Sequence, residues 1–89
     1  MSDAYEVVVS QEVVKAMRRL PKSSRRAVME AVESLADEPR AGKPLTADLV
    51  GVWSLRRGDY RILYRIDDTA RRIEIARVGH RRDVYRRRG

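Results

Sequence analysis

Apolar residues in this 89-residue chain recur every three to four positions between Val13 and Leu35 and every second position beyond Val52. That single change of period leaves few architectures open. A short β-branched run, Tyr5–Val9, comes first and predicts a strand. Val13, Val14, Met17 and Leu20 then fall at i, i+1, i+4 and i+7, predicting a helix over about Gln11 to Arg19 with Ser10 as its N-cap. Pro21 breaks it. Val28, Ala31, Val32 and Leu35 repeat at i, i+3, i+4 and i+7, predicting a second helix from about Lys22 to Asp37 that Pro39 ends. So short a break between the two predicts an antiparallel helical hairpin.

Residues 38–51, EPRAGKPLTADLVG, carry two prolines and two glycines and read as a connecting loop with Leu45 and Leu49 tucked inward. Strands follow over about Val52 to Arg57, Tyr60 to Ile66 and Arg72 to Gly79, with turns at Gly58-Asp59 and at Asp67 to Ala70. The expected fold is one α+β domain over residues 1–89, in the order β-α-α-β-β-β. A small curved antiparallel sheet carries the helical hairpin on one face, and a basic tail occupies about residues 80–89.

Alternation assigns the faces. Tyr60, Ile62, Tyr64 and Ile66 share an apolar face that packs on the helices, while Arg61, Leu63 and Arg65 share the other. Trp53, Leu55 and Arg57 alternate with Val52, Ser54 and Arg56; Trp53 reads as a core anchor, with base stacking as the minority alternative. In the last strand Ile73 and Ile75 match the apolar face, but Arg77 falls in phase with them, so a bulge or a strand end belongs near it. If His80 to Arg88 is helical, Arg81, Tyr85 and Arg88 lie on one face. Tyr85 either acts there or anchors the tail on the domain.

Charge is unevenly placed. Residues 1–50 hold eight Lys or Arg and eight Asp or Glu; residues 51–89 hold twelve Arg and five acids, so the whole net charge of +7 lies in the second half. Arginine's planar fork favours bidentate contact with phosphate or carboxylate, which points to a polyanionic or acidic partner. With no cysteine and one histidine, a thiolate zinc site or a histidine-rich metal site cannot be built, and neither metal nor cofactor is expected. The N-terminus, MSDAYEVVV, lacks a signal-peptide pattern, and no run approaches the roughly 18 apolar residues of a membrane span. The expected location is the cytoplasm.

Four segments, MRRLPKSSRR, GKPL followed by DLVG, WSLRRGDYRILYRID and VGHRRDVYRRR, together resemble the RelE/ParE superfamily of toxins from type II toxin-antitoxin modules. The match spans nearly the whole chain and is similar above all to the RelE branch of ribosome-dependent mRNA endonucleases. The resemblance implies a RelE-like fold and a metal-independent endoribonuclease. Its members cut mRNA in the ribosomal A site, leaving a 2′,3′-cyclic phosphate and a 5′-hydroxyl, and so inhibit translation. It also implies a RelB-like antitoxin and a toxin-antitoxin hetero-oligomer. By motif, Arg61 matches a phosphate-binding arginine, Arg81 a second catalytic arginine and Tyr85 the C-terminal tyrosine used against RNA. His80 stands where some relatives place lysine, and its unperturbed pKa of about 6.5 suits proton transfer. Lys43, Arg56, Arg57, Arg65, Arg77, Arg82 and Arg86 are the expected RNA-binding cations. The chain departs from active relatives at Val52 and Ser54, where they carry cations on the first meander strand. Two alternatives share the resemblance: a ParE-like inhibitor of DNA gyrase, and a non-catalytic module binding RNA or an antitoxin.

Overall fold

In the computed structural model, which describes residues 4–84, strand β1 (Glu6–Val9) leads into helices α1 (Gln11–Arg18) and α2 (Lys22–Ser34). The chain then makes a two-residue strand β2 (Lys43–Pro44), a 3-10 turn at Ala47–Leu49, and strands β3 (Trp53–Arg57), β4 (Tyr60–Asp67) and β5 (Arg72–His80). Ser10 caps α1 as its sequence position predicts, its hydroxyl accepting from the Val13 amide at 3.3 Å. Val28, Ala31 and Val32 of α2 and Leu35, its C-cap, are all buried. They meet Val13 and Met17 of α1 and Ile62, Tyr64, Ile73, Ile75 and Val78 of the sheet in one core. Both helices therefore cover the same sheet face.

The sheet has the order β1-β5-β4-β3-β2. It is mixed rather than wholly antiparallel, because β1 pairs in parallel with β5 through Glu6↔Arg72 to Val9↔Ile75. The loop expected over residues 38–51 also contributes an edge strand. Lys43 precedes a proline, which pushes its backbone to extended angles, and it pairs with Ser54. This approach needs a glycine just before it. A Cβ on Gly42 would stand 2.6 Å from the Ser54 carbonyl oxygen and 2.8 Å from the Tyr64 hydroxyl. That hydroxyl accepts from the Gly42 amide at 3.1 Å and donates to the Pro39 carbonyl at 2.7 Å. Burial pushes the Tyr64 phenol above its ordinary pKa, which keeps it protonated and able to donate.

The phase conflict at Arg77 is resolved by a bulge. Leu63 pairs with Arg77 while the next residue, Tyr64, pairs with Ile75, so Ala76 is the extra residue of β5. One inserted position moves every later side chain of β5 to the opposite face. Val78 joins the core with Ile73 and Ile75, and Arg77 turns to the face without helices.

That second face is not bare. Val52, Leu63 and Val84 form a small buried cluster there, with Leu45 packed against it. Trp53 is half-buried in the main core, its ring stacked on Tyr64 with centroids 6.4 Å apart, which supports the anchor reading.

Candidate nucleic-acid interface

The helix-free face is built by register. Ser54, Arg56, Arg61, Leu63, Arg65, Arg77 and Gly79 all point to it, because directly opposed residues of an antiparallel pair share a face. Arg61 sits between Arg56 on β3 and Gly79 on β5. Two guanidinium groups are thus carried on directly opposed positions, Arg56 and Arg61, where like charges repel. The Arg56 side chain leans away, its Nε donating to the Gly58 carbonyl at 3.3 Å. Arg61 is half-buried, and no hydrogen bond or ion pair holds its guanidinium among the described residues. A phosphate between them would relieve the repulsion.

On the other flank Val84 packs against Gly79: a Cβ there would stand 3.8 Å from the Val84 Cβ, in ordinary contact. Val84 itself, 1% exposed, closes a turn that follows β5, and its carbonyl accepts from Arg77 Nη1 at 2.9 Å. The turn starts at the hairpin end of the sheet, where the Arg81 amide donates to the Asp59 carbonyl at 2.8 Å. Arg81 is exposed beside the β3–β4 hairpin, and Arg56 and Arg61 belong to the same end. Below them a cleft of about 410 Å³ opens between the turn at Ala47–Leu49 and Leu63, Arg65, Arg77 and Val84.

Val52 and Ser54, where the resemblance leads one to expect cations, lie in surroundings that disfavour charge. Both are buried, at 5% and 6% exposure, Val52 against Leu63 and Val84 and Ser54 beside the edge strand, where a lysine would lose most of its water. Lys43 stands directly across from Ser54 and shares its face. A cation therefore borders this spot from β2.

The other expected residues are spread over both faces of the sheet and the turn after it. Arg57 opposes Tyr60 and faces the helix side, and Arg65 stands opposite Glu74, which offsets part of its charge. Arg82 is exposed in the turn. His80 opposes Tyr60, with the two rings edge-on at 5.9 Å, on the side of the sheet away from Arg61. Tyr85 and Arg86 lie outside the described residues. Val84, which shapes the whole surface, has one faint signal in the sequence: it is the lone aliphatic residue of a charged run. The cleft-lining turn at Ala47–Leu49 has none beyond the apolar Leu45 and Leu49 around it.

A second concave surface lies on the opposite side. Val7 and Val9 of β1 and Val14, Met17, Met29 and Val32 of the helices line an apolar groove of about 480 Å³, with Met29 45% exposed. No helix among the described residues is long and apolar enough to cross a membrane.

Comparison with known proteins matches this architecture. The family model for the ParE toxin of the type II toxin-antitoxin system parDE covers residues 7–85. Toxin RelG of Mycobacterium tuberculosis is 46% identical over 85 residues, covering 93% of this chain and 98% of its own. Toxin RelE of the same organism is 42% identical over 90 residues, covering 97% and 93%. Among solved structures, the toxin-antitoxin complex RelBE2 from M. tuberculosis superposes with a TM-score of 0.81 at 42% identity, covering 86% of this chain and 98% of that one. The archaeal RelE-RelB complex from Pyrococcus horikoshii gives 0.74 at 30% identity, covering 91% and 99%. The chain belongs to the RelE/ParE superfamily of type II toxin-antitoxin toxins.

Proposed function

We propose that this toxin is a ribosome-dependent mRNA endonuclease whose substrate phosphate lies over Arg61. The observation that carries the reading is the Arg56–Arg61 pair, opposed like charges on an open face with Arg81 at the same hairpin end. In the proposed reaction the ribose 2′-oxygen forms a bond to the adjacent phosphorus and the bond from phosphorus to the 5′-oxygen breaks. The products are a 2′,3′-cyclic phosphate and a 5′-hydroxyl. A proton leaves the 2′-hydroxyl and another reaches the 5′-oxygen, while the pentacovalent phosphate gains negative charge. Arginine stays protonated, so Arg61 and Arg81 act as charge and as donors rather than as bases. Proton transfer falls to Tyr85, which directly follows Val84 in the chain.

The site of action would be the ribosomal A site in the cytoplasm. An antitoxin is the second proposed partner, since the similar RelE chains above were solved as RelB complexes. The basic face favours acidic residues on such a segment, and the apolar groove beside β1 offers it a hydrophobic seat.

The test is to map mRNA ends in translating ribosomes for the wild type and for Arg61→Ala, Arg81→Ala and Tyr85→Phe. Expected are cuts at fixed positions within codons that the variants lose. Intact mRNA with the wild type would defeat the proposal. A gyrase-inhibitor reading is favoured by one observation, the match to the ParE family model, and it predicts inhibition of supercoiling by purified gyrase.

A further inference from the structure

His80 is the chain's single histidine, and both its carbonyl and its ring accept hydrogen bonds from the turn that follows it. Four consecutive amides follow it in the turn. The Arg81 amide donates to the Asp59 carbonyl at 2.8 Å, the Asp83 and Val84 amides donate to the His80 carbonyl at 2.8 and 3.0 Å, and the Arg82 amide donates to His80 Nδ1 at 3.2 Å. His80 thus accepts three of the four. A residue whose side chain accepts from the amide two positions on, while its carbonyl accepts from the amide four positions on, acts as an N-cap. Imidazole Nδ1 occupies the place an asparagine Oδ1 would take.

We propose that His80 is a positioning residue that caps the turn carrying Arg81 and Val84, and that it does so through Nδ1 as an acceptor. Its ring is held edge-on against Tyr60, a half-buried residue packed on the main core. Register puts that ring across the sheet from Arg61, since Arg61 opposes Gly79 and His80 opposes Tyr60. The cap acts on the arginine face from behind it. It fixes the backbone that sets Arg81 beside the hairpin and brings Val84 down over Leu63, where the Val84 carbonyl also receives Arg77 Nη1. Because the Arg82 amide occupies Nδ1, a neutral ring carries its proton on Nε2.

The activity arm of this inference rests on the endonuclease reading, whereas the spectroscopic arm does not. In full-length protein labelled with ¹⁵N, the ring nitrogens of one histidine give one set of signals. These should show the Nε2–H tautomer, with the Arg82 and Val84 amides slowed in hydrogen exchange. An Nδ1–H tautomer would overturn the proposal. In cleavage assays His80→Asn keeps the acceptor near Nδ1 and should stay within about threefold of the wild type, one neutral hydrogen bond replacing another. His80→Gln, whose amide reaches towards Nε2, and His80→Ala should both lose about tenfold, with the turn amides unprotected. If His80 moved protons instead, His80→Asn would fall by about 10²–10⁴ alongside His80→Ala while its turn stayed protected, and the positioning role would be refuted. Should the wild type not cleave, the endonuclease reading fails and the tautomer and exchange data still decide this one.

Discussion

Arg56 and Arg61 face each other across β3 and β4, two like charges on directly opposed positions of one sheet face. Replacing Arg61 by Ala removes one of two like charges and breaks no hydrogen bond or ion pair among the described residues, so thermal stability should hold within about 1 kcal/mol. Cleavage should fall by about 10²–10³ if this arginine stabilises the phosphorane. Melting curves and mapped cleavage rates on the same preparation check both halves. A parallel loss of stability and activity would contradict the assignment.

Lys43 gives a separable electrostatic test because it sits on an edge strand and is exposed. Lys43→Ala should leave the melting temperature unchanged and weaken RNA binding at low salt. The slope of log affinity against log salt should drop by roughly 0.7–0.9, the value of one phosphate contact. An unchanged slope would mean that Lys43 makes no phosphate contact.

Val84 should matter more for function than its size suggests. Val84→Ala opens space against Leu63 and Val52 and should cost about 1–3 kcal/mol in denaturant unfolding. Activity at temperatures where the variant stays folded should still fall several-fold, about tenfold by analogy with misplaced catalytic groups. The turn that positions Arg81 ends on this side chain.

The loop before β2 is fixed by Tyr64 and Gly42. Tyr64→Phe strands the Gly42 amide and the Pro39 carbonyl and should destabilise by about 1–3 kcal/mol. Gly42→Ala should cost at least as much, about 1–3 kcal/mol or more, because its Cβ would collide with the Ser54 backbone carbonyl as well as the Tyr64 hydroxyl. Chemical denaturation of the two variants ranks them.

At the far end of the sheet Asp68 Oδ2 accepts from Arg40 at 2.7 Å and Oδ1 from Tyr5 at 2.6 Å. Arg40 first, then Tyr5, holds the Asp68 carboxyl below its ordinary range. A depressed folded-state value means that its stabilisation is present above the unfolded pKa, about 3.9, and is lost as pH falls through the folded value. Asp68→Asn should therefore differ from the wild type near neutral pH and converge with it in acid. Stability curves from pH 2 to about 7 would show that convergence or exclude it.

Much of the architecture is legible in the chain because side-chain period is a local property. Val28, Ala31, Val32 and Leu35 mark a buried helix face by spacing alone, and Tyr60, Ile62, Tyr64 and Ile66 mark a buried strand face in the same way. Gly58-Asp59 announces its hairpin, and Gly58 adopts the left-handed angle that the turn needs, at φ 59°. The excess of arginine in the second half already points to a polyanionic or acidic partner.

Tertiary structure decided what pairing partners decide. Ala76 becomes a bulge only because β4 and β5 must each present their apolar residues to the same helices, and that single insertion sends Arg77 to the open face. Lys43 faces the arginine side because β2 hydrogen-bonds to β3 in one register. His80, adjacent to Arg81 in sequence, stands behind the sheet because successive strand residues point to opposite faces and the bulge had reset the phase. Period alone assigns residues to one face or the other within a strand. Long-range hydrogen bonds between strands fix which of those faces meet.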